Sequence, residues 1–346
     1  MPLTDAVDKR SFGFRLPAFS SLWTSPFLFE MAWARFTYLG LMTTVSLPNP
    51  PDVMHWTYPL PIRMAGTRNV YTIHDLVPLK LPQATLDNKV YYRNLIASCL
   101  AAGDHIATVS EASRRDILEI FPEADPAKIT NTYQSSPIPD ELLKSSPEAD
   151  ADFVRHTFGL ENKGYYLFFG AVDPKKNIGR IVDGYLSSQS KLPLVIVSSR
   201  DWGMERETRM LGGDGSIYGR KLGERIVQLQ YLPRPSLFRL IRSAKAVLFP
   251  SLYEGFGLPV LESMQLGTPA ITSYTSSLPE VAGKDGLLVD PYKTPEIAAA
   301  IRRLETEPSL YEQVRDAGLA HAQIFTDANF VDRLLGLYAS MGLTAA

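Results

Sequence analysis

Two glutamates eight residues apart bracket a pair of glycines in the run Phe249-Pro-Ser-Leu-Tyr-Glu254-Gly255-Phe256-Gly257-Leu258-Pro-Val-Leu-Glu262. An ionised carboxylate accepts hydrogen bonds on two oxygens and donates none, which suits it to hold hydroxyl groups. Gly255 and Gly257 free the backbone to turn tightly. Apolar residues at 258, 260, 261, 264 and 266 then mark the buried face of a helix that opens at the glycines. The first N–H groups of such a helix lack intrahelical partners and lie at the positive end of its dipole, where an anion such as a pyrophosphate can sit. Eight residues of helix advance about 12 Å. Glu254 and Glu262 can therefore reach opposite ends of one nucleotide sugar without touching its phosphates.

The elements that must carry these groups are legible as an α/β alternation. Val70–Ile73 and Ile106–Val109 are short β-branched runs, each followed by polar residues and a helical stretch. A second α/β half begins near Tyr165, with strands predicted at Tyr165–Phe169, Leu194–Val197, Ile226–Leu229, Ala246–Phe249, Ala270–Thr272 and Leu287–Val289. Helices are predicted between them at 177–187, 235–243, 258–266 and 294–305, giving a doubly wound sheet. The polar, acidic stretch 145–152, preceded by Pro137 and Pro139, reads as the boundary between the halves. In open α/β sheets ligands bind at the carboxyl ends of the strands, and the glutamate motif follows such an end.

The whole chain excludes several classes. Its 346 residues are enough for two cores, and a net charge of −2 with no basic run gives no footprint for nucleic acid. The single Cys99 cannot form an internal disulfide and reads as a buried thiol in a reducing compartment. The N-terminus shows no secretory pattern. Residues 18–43 are rich in aromatic and aliphatic side chains, but Ser20, Ser21, Pro26, Glu30 and Arg35 break them up, so they do not read as a membrane span. They read as a helix of the first domain or, alternatively, as an interfacial surface resting on a bilayer.

The phrase FPSLYEGFGLPVLESMQLGTPAI at 249–271, with SSLPEVAG at 276–283 and GLLVDP at 286–291, resembles the donor-binding core of retaining family-4 glycosyltransferases of the GT-B fold. The resemblance runs from about Asp52 to Asp290 and implies two Rossmann-like domains facing across a cleft. It divides the chain into an acceptor-side domain at 1–150, a nucleotide-sugar domain at 151–324, and a last helix within 325–346 that crosses back onto the first domain. It implies that Glu262 takes the ribose diol. Glu254 holds the transferred sugar or supports charge at its anomeric carbon, and backbone N–H groups from Gly255 through Phe256 and Gly257 to Leu258 bind sugar and phosphate oxygens. The loop Phe168-Phe-Gly170-Ala171-Val-Asp-Pro-Lys175-Lys176 resembles the family's phosphate-binding loop and gives Lys176 the leaving diphosphate. Many members carry an arginine directly after that glycine, where this chain has Ala171; Lys175 and Arg200 are the candidates to replace it. His74-Asp75-Leu76, after a strand, matches a first-domain motif whose histidine bonds the donor sugar or leaving group. The base is expected near Gln230, Tyr231 and Leu232. His55 is the weaker second histidine, and His105, His156 and His321 read as structural.

No metal or other cofactor is required on this reading. Asp150-Ala151-Asp152 fits the D-x-D pattern by which glycosyltransferases of another fold hold a divalent cation, but it lies in the acidic stretch and reads as solvated. No G-x-S-x-G, H-E-x-x-H or Walker A motif is present. One departure touches the acceptor side: members usually begin with a strand and a glycine-rich loop, whereas the first 50 residues here hold only Gly13 and Gly40. The expected function is a retaining hexosyltransferase, with mannose from GDP-mannose favoured. The acceptor is a lipid-linked (polyprenyl-diphosphate) oligosaccharide or polysaccharide intermediate, and the enzyme works in the cytoplasm at the inner face of the cell membrane. The alternatives are a non-catalytic nucleotide-sugar-binding subunit and a GT-B-type epimerase.

Overall fold

The computed structural model describes residues 1–5, 19–198 and 225–343. The first half contains β1 (Thr43–Val45), β2 (Val53–Trp56), β3 (Ile62–Met64), β4 (Arg68–Ile73), β5 (His105–Thr108) and β6 (Ile129–Asn131). β2, β4, β5 and β6 form a parallel sheet in the order β2-β4-β5-β6, and β1 pairs with β3 beside it. Asn69 joins the two: its side chain accepts from Met64 N–H and Trp56 Nε1–H and donates to Met64 O. The helices of this half are α1 (Leu28–Leu39), α2 (Val77–Lys80), α3 (Lys89–Ala102) and α4 (Glu111–Ile120). Cys99 is fully buried in α3, and burial pushes its thiol up to about 12.

α1 explains why residues 18–43 admitted two readings. Leu28, Ala32 and Phe36, spaced by one helical turn, pack into the first core. The opposite face leaves Phe29 57% and Trp33 52% exposed. Among the described residues, no helix is long and apolar enough to cross a membrane.

α5 (Asp140–Lys144) and α6 (Pro147–Phe158) follow, with Leu142 and Val154 buried in the core of the second sheet. The polar stretch 145–152 is therefore not an open linker. Ser146 caps α6 by accepting from Ala149 N–H. Asp150 is not solvated, as its composition suggested. It is 1% exposed, held by Arg239 at 3.2 Å and Arg242 at 2.5 Å, and also takes a bond from the Ser145 hydroxyl. Of the two aspartates only Asp152 faces solvent, paired with Arg155.

The second sheet comprises β7 (Tyr166–Phe169), β8 (Leu194–Val197), β9 (Ile226–Leu229), β10 (Ala246–Phe249), β11 (Ala270–Ser273) and β12 (Leu287–Val289). Every residue of β7, β8, β10 and β11 is buried, as continuous apolar strands covered on both faces must be. The strands are all parallel, in the order β12-β11-β10-β7-β8-β9. Strand order reverses between β7 and β10, so the loops leaving those two strands part and open a crevice. The helices are α7 (Ile178–Ser188), α8 (Arg234–Ser243), α9 (Leu258–Gln265), α10 (Leu278–Ala282), α11 (Thr294–Thr306), α12 (Pro308–Ala322) and α13 (Asp327–Ser340). α13 lies against the first sheet: Leu337 packs with Val70 and Ala107, and Tyr338 Oη is 2.7 Å from His55 Nδ1.

Candidate active site

The crevice at the switch point brings together residues far apart in the chain. β7 ends at Gly170, and Asp173 accepts from Lys175 N–H to start the single turn Pro174–Lys176. β10 leads through Pro250 to Glu254, and Leu252 N–H donates to Lys175 O at 2.7 Å, tying the two loops side by side. Asn177, held at φ 62°, donates to Pro250 O and Pro291 O and fixes the end of the turn. Lys176 Nζ then lies 2.6 Å from Glu254 Oε1, with the two side chains only 14% and 8% exposed, and 4.7 Å from the centre of the Phe249 ring. The cation assigned to the diphosphate and the carboxylate assigned to the sugar are thus in direct contact.

Gly257 caps α9 at φ 114°. A Cβ there would also meet Leu278 Cδ2 at 2.7 Å. Among the described residues, the N–H groups of Gly255, Phe256, Gly257 and Leu258 make no hydrogen bond. Phe256 offers only its backbone: its ring is buried, edge-on to Phe325 and tilted against Tyr133. Ser276 Oγ accepts from Glu254 N–H, while the Ser277 hydroxyl donates to the carbonyls of Glu254 and Phe256. Glu254 is therefore fixed through its backbone as well as its side chain.

Gly255 is where the two domains touch. Its Cβ position lies 2.4 Å from His74 O and 2.9 Å from Asp75 Cβ. Ser110 Oγ donates to Gly255 O at 2.6 Å, and Ser113 Oγ donates to His74 O at 2.8 Å. Glu280, in α10, spans the same seam. Its two oxygens accept from the N–H groups of Glu111 and Ala112 at the start of α4, at 3.0 and 2.9 Å. Burial raises its carboxyl above the ordinary value, and those two bonds pull it back.

The His74 backbone therefore meets Gly255 at the seam, while its ring is held inside the first domain. Nε2 lies 2.8 Å from Thr57 O, so it carries the proton, and Nδ1 accepts from Gln134 Nε2 at 3.3 Å. His55 has both nitrogens engaged, by Tyr338 and Thr72, and burial lowers its pKa. At the far end of α9, Glu262 Oε1 accepts from Ser136 Oγ at 2.8 Å and lies 3.4 Å from Arg234 Nη2. Burial raises the Glu262 carboxyl, and Ser136 and Arg234 oppose that. Leu232 packs, half-buried, on the second core. Arg200 lies outside the described residues, as the other candidate beside Lys175 for the missing arginine.

Sequence reasoning missed Ser110, Ser113, Gln134, Ser136 and Arg234, and it took Glu280 only as part of the SSLPEVAG motif, with no role. Arg234 left a signal: it is the first residue of α8, where the helix dipole disfavours a cation. A cation at that position implies a partner elsewhere. The serines left none, because the bonds of Ser110 and Ser113 to Gly255 O and of Ser136 to Glu262 join segments far apart in the chain.

A family model described as glycosyl transferases group 1 matches residues 151–321. The chain is 31% identical over 283 residues to O-antigen chain mannosyltransferase B of Escherichia coli, covering 78% of this chain and 70% of that protein. It is 25% identical to the serotype-specific mannosyltransferase WbdA of Escherichia coli, covering 79% of this chain and spanning about a third of that protein's length (34%). The crystal structure of Anabaena HepE with UDP and glucose superposes with a TM-score of 0.67 at 18% identity, over 79% of this chain and 72% of HepE. The chain belongs to the group 1 glycosyl transferases and has their GT-B architecture of two parallel-sheet domains. It is a glycosyltransferase.

Proposed function

We propose that this protein is a retaining mannosyltransferase that transfers mannose from GDP-mannose to a lipid-linked O-antigen-type glycan. The observation that carries the proposal is the Lys176–Glu254 contact at the switch point, beside the N–H groups that open α9. Lys176 and those N–H groups neutralise the charge that grows on the departing diphosphate. Glu254 holds the sugar as positive charge develops at its anomeric carbon. The acceptor hydroxyl attacks from the face the diphosphate leaves, so configuration is retained, and its proton passes to the departing phosphate oxygen. Two mannosyltransferase relatives support the choice of sugar, and the O-antigen chain in the name of the first supports the choice of glycan. The cationic work falls to Lys176 and the helix end, with no divalent cation, because Asp150 of the D-x-D pattern is engaged by two arginines away from the crevice.

Incubation with a panel of radiolabelled nucleotide sugars, with and without a lipid extract and with and without EDTA, tests this. Label from GDP-mannose is expected in the lipid fraction, with the α-linkage of the donor and undiminished by EDTA. Binding without transfer or hydrolysis would make the chain a donor-binding subunit, and a new sugar nucleotide formed without acceptor would make it an epimerase. Loss of transfer in EDTA, restored by manganese or magnesium, would overturn the metal-free step.

The lipid acceptor also requires the enzyme to meet a membrane, and we assign that contact to the exposed face of α1 at the inner surface of the cell membrane. Phe29→Ser with Trp33→Ser is expected to reduce co-flotation with vesicles containing anionic lipid. The fold should persist, since Leu28, Ala32 and Phe36 still anchor the helix. Equal flotation of both proteins, or none, would remove the assignment.

A further inference from the structure

Oε1 of Glu262 has two contacts, and both come from outside its own helix. Ser136 Oγ donates to it at 2.8 Å, and Arg234 Nη2 lies 3.4 Å away. The same guanidinium nitrogen donates to Ser136 Oγ at 2.7 Å and to Pro137 O at 3.3 Å, and the guanidinium lies 4.9 Å from the centre of the Phe238 ring. A serine hydroxyl has one proton and two lone pairs. Here the proton goes to the carboxylate and a lone pair takes the arginine N–H, so the cation acts on Oε1 both directly and through the serine. Ser136 is 2% exposed and sits in the connector between β6 and α5, while Arg234 opens α8 and Glu262 belongs to α9. Three separate segments meet on one oxygen. Among the described residues, the other oxygen, Oε2, makes no hydrogen bond.

We propose that Ser136 and Arg234 are positioning residues that pin Oε1 of Glu262 so that Oε2 is presented to the ribose diol of the donor nucleotide. The inference rests on the reading of Glu262 as the ribose acceptor. A free glutamate loses rotamer freedom when it takes a diol, and that loss weakens binding. A carboxylate already clamped on one oxygen has lost it beforehand. The clamp also opposes the rise that burial imposes on the Glu262 carboxyl and so favours the charged form, which is the stronger acceptor. The ribose site thus depends on the connector between the domains as well as on α9.

Calorimetric titration with GDP and with 2′,3′-dideoxy-GDP, which lacks the diol, tests the proposal. Ser136→Ala and Arg234→Gln are each expected to weaken GDP roughly three- to tenfold, the scale of one ordinary net hydrogen bond, because the lost bond reaches the ribose only through Glu262. Dideoxy-GDP should change less than about twofold by the same reasoning. Arg234 is half exposed, so its variant is not expected to disturb the fold. Unchanged or tighter GDP binding by both variants would overturn the inference, the tighter case making the Ser136 hydroxyl a competitor for the carboxylate. Equal losses for the two nucleotides would also overturn it, reducing the pair to a general prop. Glu262→Gln separates the two levels of the argument. If it weakens GDP but spares dideoxy-GDP while the Ser136 and Arg234 variants do not, only the positioning role falls. If it leaves GDP untouched, the ribose reading falls and takes the positioning role with it.

Discussion

Replacing Lys176 by alanine is expected to lower kcat/KM roughly ten- to a hundredfold, the scale of a hydrogen bond to a charged group of about 1.5–3 kcal/mol. Two losses combine in that figure. On the proposed reading the departing diphosphate loses a lysine, and Glu254 loses the partner at 2.6 Å that neutralises it in a largely buried position. The second loss makes the single variant worse than the value of the lysine to the transition state alone. Glu254→Gln is expected to reduce kcat while leaving affinity for nucleoside diphosphate near that of the unchanged protein, because its contact strengthens only as the glycosidic bond breaks.

The contact itself is measured by combining the two changes. Residues in direct contact do not add, and the doubly changed enzyme is expected to lose less than the product of the single losses, by about 1–3 kcal/mol of coupling. Steady-state kinetics of the four proteins gives that coupling. Strict additivity would mean that lysine and glutamate act on separate parts of the donor and that their contact is incidental. A Lys176→Ala enzyme with normal kinetics would hand the diphosphate to Lys175 or Arg200.

The second sheet was legible because its strands are covered on both faces and therefore spell themselves as unbroken apolar runs; Leu194–Val197 and Ile226–Leu229 were read at the bounds the structure has. The helix at 258–266 announced its start through Gly257, whose φ of 114° suits glycine and few other residues. Three-residue strands such as β1 and β6 are too short to show a period, and α12 buries only Val314, Gly318 and Ala322 along its length. Asp150 was misread for a related reason. A run of Ser, Pro, Glu and Asp looks solvated when the arginines that bury it lie some 90 residues further on. The site was legible as a set of residue types, but the meeting of Lys176 with Glu254 depends on β7 lying next to β10, which a linear pattern does not state. The seam of Ser110, Ser113 and Glu280 was invisible because each residue has an ordinary local reading as a helix cap, a helical serine or a surface carboxylate.

That seam makes Gly255→Ala the substitution with the largest expected effect. The backbone at Gly255 does not have the positive φ that alanine would resist; the obstacle is contact. An added methyl would lie 2.4 Å from His74 O and 2.9 Å from Asp75 Cβ, and the nearer atom is backbone that cannot rotate away. The turn after β4 and the turn after β10 must part, which also lengthens the bonds of Ser110 and Ser113 to Gly255 O. The turn carrying His74 then moves away from the turn carrying Glu254 and Gly255, and on the proposed reading that both turns meet the donor a shift of about 1 Å costs on the order of a hundredfold in rate. Nucleotide affinity should change less than turnover, since Lys176, Glu262 and the start of α9 all belong to the second domain and only Ser136 reaches Glu262 from the connector. Gly257→Ala provides the contrast. It strains a left-handed position and pushes on Leu278 within the second domain, so its losses should appear in thermal stability and in nucleotide binding. Kinetics, calorimetry and melting of the two variants decide the matter: a Gly255→Ala enzyme that keeps its turnover within about threefold, well short of that hundredfold scale, would show that the close approach of His74 to Gly255 is not part of the working site.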